Sequence, residues 1–253
     1  MHEASQHDDN SYITLTYDDK HLPPGGTLVK SHFVSFMKRL RARLQYEDEK
    51  AGRDARLIRF YMCGEYGPRT LRPHYHALLF GYQYPDLRFH QEKRGHRLFT
   101  SKQLVEDWGL GSNCPVGQVT FQSAAYVARY IMKKQSGPVA YDLIDTQTGE
   151  ITKRIPEYTN MSRMPGIGAS WFSKFAPDVY PDDFIINEGK RVRVPRYYDR
   201  LFAEALGDDA LLEIKDDRRE AASLHKENQT PQRLKVRELV LESKITKLVR
   251  DDI

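Results

Sequence analysis

The stretch LIRFYMCGEYGPRTLRPHYHALLFGY (Leu57–Tyr82) decides the fold. Leu57–Tyr66 and His74–Tyr82 are rich in aromatic and branched residues and read as two strands. Gly67, Pro68 and Pro73 lie between them, so a hairpin is the economical connection. Side chains two apart in a strand project from one face, which aligns His74 with His76 and, on the other strand, Tyr61 with Cys63 and Glu65. In a hairpin Glu65 then lies beside His74, close to the turn. Two neutral imidazoles and a carboxylate make a mixed N/O ligand set suited to Mg, Mn or Zn, with an open position for a substrate oxygen. A His-x-His pair taken alone is equally at home as two surface histidines, and Glu65 has an alternative partner in Arg69 or Arg72. Cys63 fits better as a buried thiol than as a fourth ligand.

Working outward, Ser11–Asp18 (SYITLTYD) reads as a strand ended by Leu22–Gly26 (LPPGG). Val29–Tyr46 has helical spacing, with Phe33, Phe36, Met37, Leu40 and Leu44 on one face and Lys38, Arg39, Arg41 and Arg43 on the other. Ser101–Trp108 is a short helix closed by Gly109, and Gly117–Phe121 a fourth strand. Ser123 is positioned to cap a helix running to about Gln135. This order predicts an α+β fold, an antiparallel sheet with helices packed on one face. Three regions follow: a core over 1–137, an irregular wrap over 138–207 with a hairpin at Thr146–Glu150, and a charged tail over 208–253, two exposed helices split near Pro231.

The chain has 253 residues, 40% of them hydrophobic and 29% charged, enough for a packed core and too apolar for a wholly disordered chain. Mean hydropathy is −0.67 and no run of 18 apolar residues occurs, so no membrane partner is expected. The opening MHEASQHDDN is polar and acidic, unlike a secretory signal. Two cysteines cannot make a disulfide framework, which fits a reducing cytoplasm. The 39 Lys and Arg against 35 Asp and Glu leave a net charge of +4. Residues 30–60 hold nine basic and four acidic side chains, 61–207 nineteen and fifteen, and 208–253 ten and eleven. The positive charge therefore lies ahead of the tail.

SAAYVARYIMKK (Ser123–Lys134) supplies a second feature. Tyr126 and Tyr130 stand at i and i+4, on one helix stripe that Lys133 continues, while Ala124, Val127, Ala128 and Ile131 form the adjoining buried face. Such a pair serves simple packing, or nucleophilic catalysis when nearby cationic charge offsets a phenol pKa of about 10. Around both features stand Arg69, Arg72, Arg129, Lys133, Lys134 and the basic helix with Lys38 and Arg41, donors suited to DNA phosphates. Tyr12, Tyr17, Phe60 and Tyr75 are candidate base-stacking platforms.

Three strings occur in one order: YITLTYDDKHLP (Tyr12–Pro23), CGEYGPRTLRPHYHALLFG (Cys63–Gly81) and YVARYIMKK (Tyr126–Lys134). Together they resemble the His-hydrophobic-His (HUH) rolling-circle replication initiators of microviruses, over about residues 11–205. MPGIGASWF (Met164–Phe172) and YYDRLF (Tyr197–Phe202) also look like that family. Family members carry an upstream segment with a C-x-x-C-R pattern, and this chain starts after it; Arg129 stands where some members have Lys. The resemblance implies an HUH endonuclease fold with an RRM- or ferredoxin-like core, and a divalent metal, Mg²⁺ or Mn²⁺, held by His74, His76 and Glu65. It further implies Tyr126 and Tyr130 as nucleophiles helped by Lys133, DNA contacts through Arg72, Arg129, Lys134, Lys38 and Arg41, and a 5′-phosphotyrosine intermediate. The implied partners are single-stranded DNA at a replication origin and the host replication helicase and polymerase, in the cytoplasm of a bacterial host. Competing readings are a two-tyrosine transposase, a non-catalytic RRM-like nucleic-acid-binding module, and a zinc hydrolase with a further His ligand.

Overall fold

The computed structural model describes residues 1–93, 95–133, 143–144, 149 and 151–246, side chains excepted at 130–133, 143–144, 152 and 245–246. In chain order come β1 (Asn10–Leu15), α1 (Lys30–Lys50), β2 (Arg59–Tyr66), β3 (Pro73–Phe80), β4 (Arg88–Lys93), β5 (His96–Thr100), α2 (Lys102–Trp108), β6 (Val116–Gly117) and α3 (Phe121–Lys133). The short β7 (Leu143–Ile144) and β8 (Ile151–Thr152) pair with each other, and β9 (Tyr158–Met161) returns to the main sheet. That sheet has seven strands in the order β4-β5-β6-β1-β3-β2-β9, every pairing antiparallel. The fold is α+β. The turn expected at Thr146–Glu150 falls, apart from Gly149, outside the described residues, between β7 and β8.

The β2–β3 hairpin forms with Glu65 opposite His74 and Cys63 opposite His76. One face of the sheet carries the main core: Phe33, Phe36 and Leu40 of α1 meet Leu15, Tyr75 and Leu79, with Trp108 of α2 fully buried beside them. The other face holds Tyr12, Thr14, Glu65 and His76, and α3 lies over it against β2, β3 and β9. Helices therefore cover both faces, which corrects the one-face expectation. The physical reason is that β1 and β3 bury both sides; their second side is partly polar and needs a cover that can also be polar. α3 supplies it with a narrow apolar edge: Val127 is fully buried, Ala124 half-buried and Ala128 exposed, against the expectation that all three are buried.

Local signals explain the element ends. Ser101 Oγ accepts from the Leu104 N–H at 3.0 Å and Gly109 closes α2 at φ 68°, a left-handed conformation cheap only for glycine. The fourth strand stops at Gly117, because Thr120 rather than Ser123 caps α3. The Ser123 N–H donates to Thr120 Oγ1 (3.2 Å) and the Thr120 N–H donates to Ser123 Oγ (2.9 Å), a reciprocal cap. At Gly111 the backbone passes so close to Thr16 that a Cβ would fall on the Thr16 carbonyl oxygen. Gly111→Ala should therefore cost about 3 kcal/mol, the upper end for overpacking, read as a lowered urea midpoint.

The chain divides into two compact units, Met1–Gly168 and Ala169–Ile253, a boundary inside the 138–207 stretch. The second unit contains α4 (Ala169–Val179), the hairpin β10 (Phe184–Asn187)–β11 (Lys190–Arg193), α5 (Arg196–Leu206), α6 (Asp208–Ser223) and α7 (Pro231–Thr246). Phe172, Tyr180, Val194, Tyr198, Phe202 and Leu211 make its core. The 138–207 stretch is thus more regular than expected, carrying β9, α4, β10, β11 and α5; its core rings are clustered rather than periodic in sequence. The tail splits into two helices at Pro231 as expected, but α6 is anchored: Leu211 is buried and Arg218 grips Asp183 and Asp199. No helix among the described residues is long and apolar enough to cross a membrane.

Candidate metal centre and the tyrosine beside it

Four side chains from three elements meet at one carboxylate oxygen. Glu65 Oε1 lies 2.7 Å from His74 Nε2, 3.0 Å from His76 Nε2 and 2.8 Å from the hydroxyl of Tyr126, which donates to it. Glu65 and His76 are buried, and the His76 and Tyr126 rings meet edge-on at 5.1 Å. Hairpin register delivers the first three groups; α3 delivers the fourth from above. The Glu65–His74–His76 ligand atoms all lie within 4.8 Å of one another, and this is the one group of its kind among the described residues.

The donors fit a divalent ion. His74 Nδ1 is 3.1 Å from the Arg72 carbonyl oxygen, an acceptor that puts the ring proton on Nδ1 and leaves the Nε2 lone pair for a metal. His76 Nδ1 is 2.7 Å from the Tyr12 hydroxyl and 2.9 Å from Thr14 Oγ1, either of which can accept its proton. The second carboxylate oxygen, Glu65 Oε2, is buried with no hydrogen-bond partner, a position a native structure usually fills. Three protein ligands would leave the open coordination site that metal-assisted chemistry needs.

Electrostatics oppose one another here. Burial alone would raise the Glu65 pKa, but the hydrogen bonds from His74 and then His76 outweigh it and bring it down to about 2. Tyr126 moves the other way: burial first, then the negative charge of Glu65, push its phenol far above the usual value. Because the folded pKa of Glu65 lies below the unfolded one, its contribution to stability is present above pH 4.5 and is lost as pH falls toward 2. That depression corresponds to about 3 kcal/mol. Metal-free Glu65→Gln protein should lose correspondingly less stability than wild type between pH 5 and pH 3, measured by urea unfolding; parallel pH curves would refute the assignment.

The remaining candidates divide. Tyr130 and Lys133 lie on α3, one and nearly two turns beyond Tyr126, with their side chains outside the described residues; Lys134 lies outside them altogether. Arg129 is half-buried on the same helix. Arg72 sits at the hairpin turn, where its guanidinium binds Asp19 (2.7 Å) and the Tyr17 carbonyl (2.9 Å), so Glu65 pairs with the histidines instead. Lys38 and Arg41 are exposed on α1, which packs on the opposite face of the sheet. Their neighbours hold structure: Arg39 donates to the carbonyls of Asp107 and Trp108, and Arg43 to the Asp107 carboxylate. The four aromatic platforms are also committed. Tyr17 and Tyr75 are buried and Phe60 half-buried against the α1 core. Tyr12 stacks on His76 at 5.6 Å and 7°. Tyr12 and Thr14 are thus site residues that sequence reasoning missed, although alternation along β1 places them on one face.

The class defined by these features is a sheet-based α+β protein with a His-His-Glu candidate metal centre facing a helix-borne tyrosine. The model of the family described as replication-associated protein ORF2 matches residues 10–135, which contain every residue of the centre. The chain is 33% identical over 199 residues to the replication-associated protein VP4 of Bdellovibrio phage phiMH2K, covering 78% of this chain and 59% of that protein. It is 30% identical over 220 residues to the replication-associated protein ORF2 of Spiroplasma virus 4 (83% and 63%), and 28% over 213 residues to the replication-associated protein ORF4 of Chlamydia phage 1 (82% and 49%). The chain belongs to this family, the replication-associated proteins of microvirus-like phages. It spans about half to just under two thirds of the length of these relatives. No solved structure matches it significantly.

Proposed function

We propose that the protein is a rolling-circle replication initiator, an HUH-type endonuclease and strand transferase that nicks and rejoins single-stranded DNA at an origin. The observation that carries this reading is the convergence of both imidazoles and the Tyr126 hydroxyl on Glu65 Oε1. A binding module has no use for that convergence, and a zinc hydrolase has no use for a tyrosine at the open side.

Glu65, His74 and His76 would hold Mg²⁺ or Mn²⁺. Such an ion supplies positive charge that offsets both the scissile phosphate and the Glu65 carboxylate, the two charges that oppose a phenolate at Tyr126. The protein does the rest. Tyr12, Thr14 and the Arg72 carbonyl fix the two rings, and β2 and β3 fix the distance between the ligands and α3. Tyr126 Oη attacks phosphorus, forming a 5′-phosphotyrosine and breaking the P–O3′ bond, and the phenol proton ends on the released 3′-oxygen. One phosphate ester replaces another, so the bond energy is kept and no nucleotide cofactor is needed. The free 3′-OH primes a host polymerase behind a host helicase, in the cytoplasm of the bacterial host. Tyr130 serves as the second nucleophile once the circle is copied, and the earlier 3′-OH closes the released strand. Lys133, Lys134, Arg129 and Arg72 add phosphate contacts, and Lys38 and Arg41 take DNA beyond the centre.

The test is incubation of the pure chain with circular single-stranded DNA and Mn²⁺ or Mg²⁺, followed by a denaturing gel and peptide mass spectrometry. A covalent DNA adduct on Tyr126 or Tyr130 that EDTA prevents is expected; binding to several origin candidates with no adduct would overturn the reading.

A further inference from the structure

The second unit carries a concentrated basic surface that the cleavage chemistry does not use. Lys190, Arg191 and Arg193 are exposed on β11, and Arg196 and Arg200 are exposed on α5, five cations within eleven residues. Arg191 and Arg193, two apart on a strand, project from one face about 7 Å apart. Arg196 and Arg200, at i and i+4, share one helix face about 6 Å apart. With α6 these elements enclose an open groove of about 1270 Å³.

The local acids are withdrawn from it. Arg218 binds Asp183 through two nitrogens at 2.7 and 2.6 Å and Asp199 at 2.8 and 2.8 Å, consuming both carboxylates. Among the described residues no carboxylate lies within ion-pair distance of Lys190, Arg191, Arg193 or Arg196, and Arg200 has only an exposed 3.4 Å contact with Glu204. Two of the cations are held in place on aromatic rings, Arg191 over Phe184 at 4.4 Å and Arg200 over Tyr197 at 5.1 Å. Unpaired, preorganised cations in two regular rows suit a regularly charged polymer better than a single small anion.

We propose that this hairpin and helix form a duplex-DNA-binding surface that contacts the sugar–phosphate backbone. The β-ribbon has the form that enters a major groove. A single strand would call for exposed rings on which to stack bases, and here both rings are half-buried beneath guanidinium groups. The proposal goes beyond the cleavage reading and needs no residue of the metal centre.

The experiment is anisotropy of the full chain with a short fluorescein-labelled duplex of arbitrary sequence across a salt series, in EDTA so that no cleavage occurs. The triple variant Lys190→Gln/Arg191→Gln/Arg193→Gln should bind the duplex at least about tenfold more weakly. The slope of log K against log salt should fall by about 2 to 3, near 0.9 for each phosphate no longer neutralised. Arg191→Lys/Arg193→Lys, which keeps the charge, should restore most of the affinity. If the triple variant does not fold, the single exposed changes Arg191→Gln and Arg196→Gln should each lower the slope by about 1. Unchanged duplex affinity and slope would overturn the proposal. So would a loss confined to single-stranded DNA, or to anionic phosphatidylglycerol vesicles run in parallel. Failure of the adduct assay leaves this result untouched, so the two readings fail separately.

Discussion

Changing His74 and His76 together to alanine is expected to lower single-strand nicking at least about 10³-fold while leaving single-stranded DNA affinity within a few fold. Losing one charge-stabilising group at a reacting centre typically costs about 3 kcal/mol, and two are removed here. Each imidazole also does structural duty: both approach Glu65 Oε1, and His76 ties that carboxylate to Tyr12 and Thr14. The double variant leaves Glu65 buried with only the Tyr126 hydroxyl against it. Mn²⁺ binding, followed by calorimetry on the metal-free chain, should disappear along with activity. Affinity should survive because cations dominate binding to the backbone, and neither histidine belongs to a basic row. A double variant that still nicks would remove the metal assignment; one that loses DNA binding and cleavage together would point to a folding role instead.

How far the sequence carries this site depends on the distance over which each piece is determined. The β2–β3 hairpin is local: two strand-like runs, the breakers Gly67, Pro68 and Pro73, and a period of two put Glu65 opposite His74, where the structure has it. The helix α1 and its buried face are local for the same reason, and Phe33, Phe36, Met37, Leu40 and Leu44 are all buried. Which face of the sheet a helix covers is not local. α1 and α3 are both amphipathic, and nothing in either pattern assigns them to opposite faces. That single tertiary fact moves Lys38 and Arg41 away from the side of the centre and brings Tyr126 to it. Tyr12 was legible as an aromatic on a strand, but its role behind His76 needs the β1–β3 pairing, Thr14 opposite His76. β4 and β5 were invisible for another reason. Arg88–Lys93 and His96–Thr100 are charged and largely exposed, so they lack the hydrophobic alternation by which a strand is recognised and are held by pairing at the sheet edge. Basic side chains were the least legible of all, since Arg39 and Arg43 look like a DNA-facing row until Asp107 and the end of α2 are found opposite them.

Tyr126→Phe is expected to remove the covalent adduct at position 126 and shift what remains to Tyr130. The double Tyr126→Phe/Tyr130→Phe change should lower adduct formation at least about 10³-fold, since the nucleophile itself is gone. The single substitution removes one oxygen and little else. The ring of Tyr126 keeps its edge-on contact with His76, and Glu65 keeps both imidazoles, so Mn²⁺ affinity and the folded state should be unchanged. This gives the experiment its discrimination: the histidine variant loses metal and chemistry together, while the tyrosine variant loses chemistry alone. Removing the hydroxyl also removes a hydrogen bond donated to a buried carboxylate, which costs about 1 to 3 kcal/mol in the metal-free chain. A bound dication takes over the charge compensation, so that cost should shrink when Mn²⁺ is added. Thermal unfolding of Tyr126→Phe with and without Mn²⁺ reads this directly. A wild-type-like adduct yield on a residue other than 126 or 130 would move the nucleophile elsewhere. A Tyr126→Phe protein that can no longer bind Mn²⁺ would make Tyr126 a support of the metal centre rather than the group that attacks.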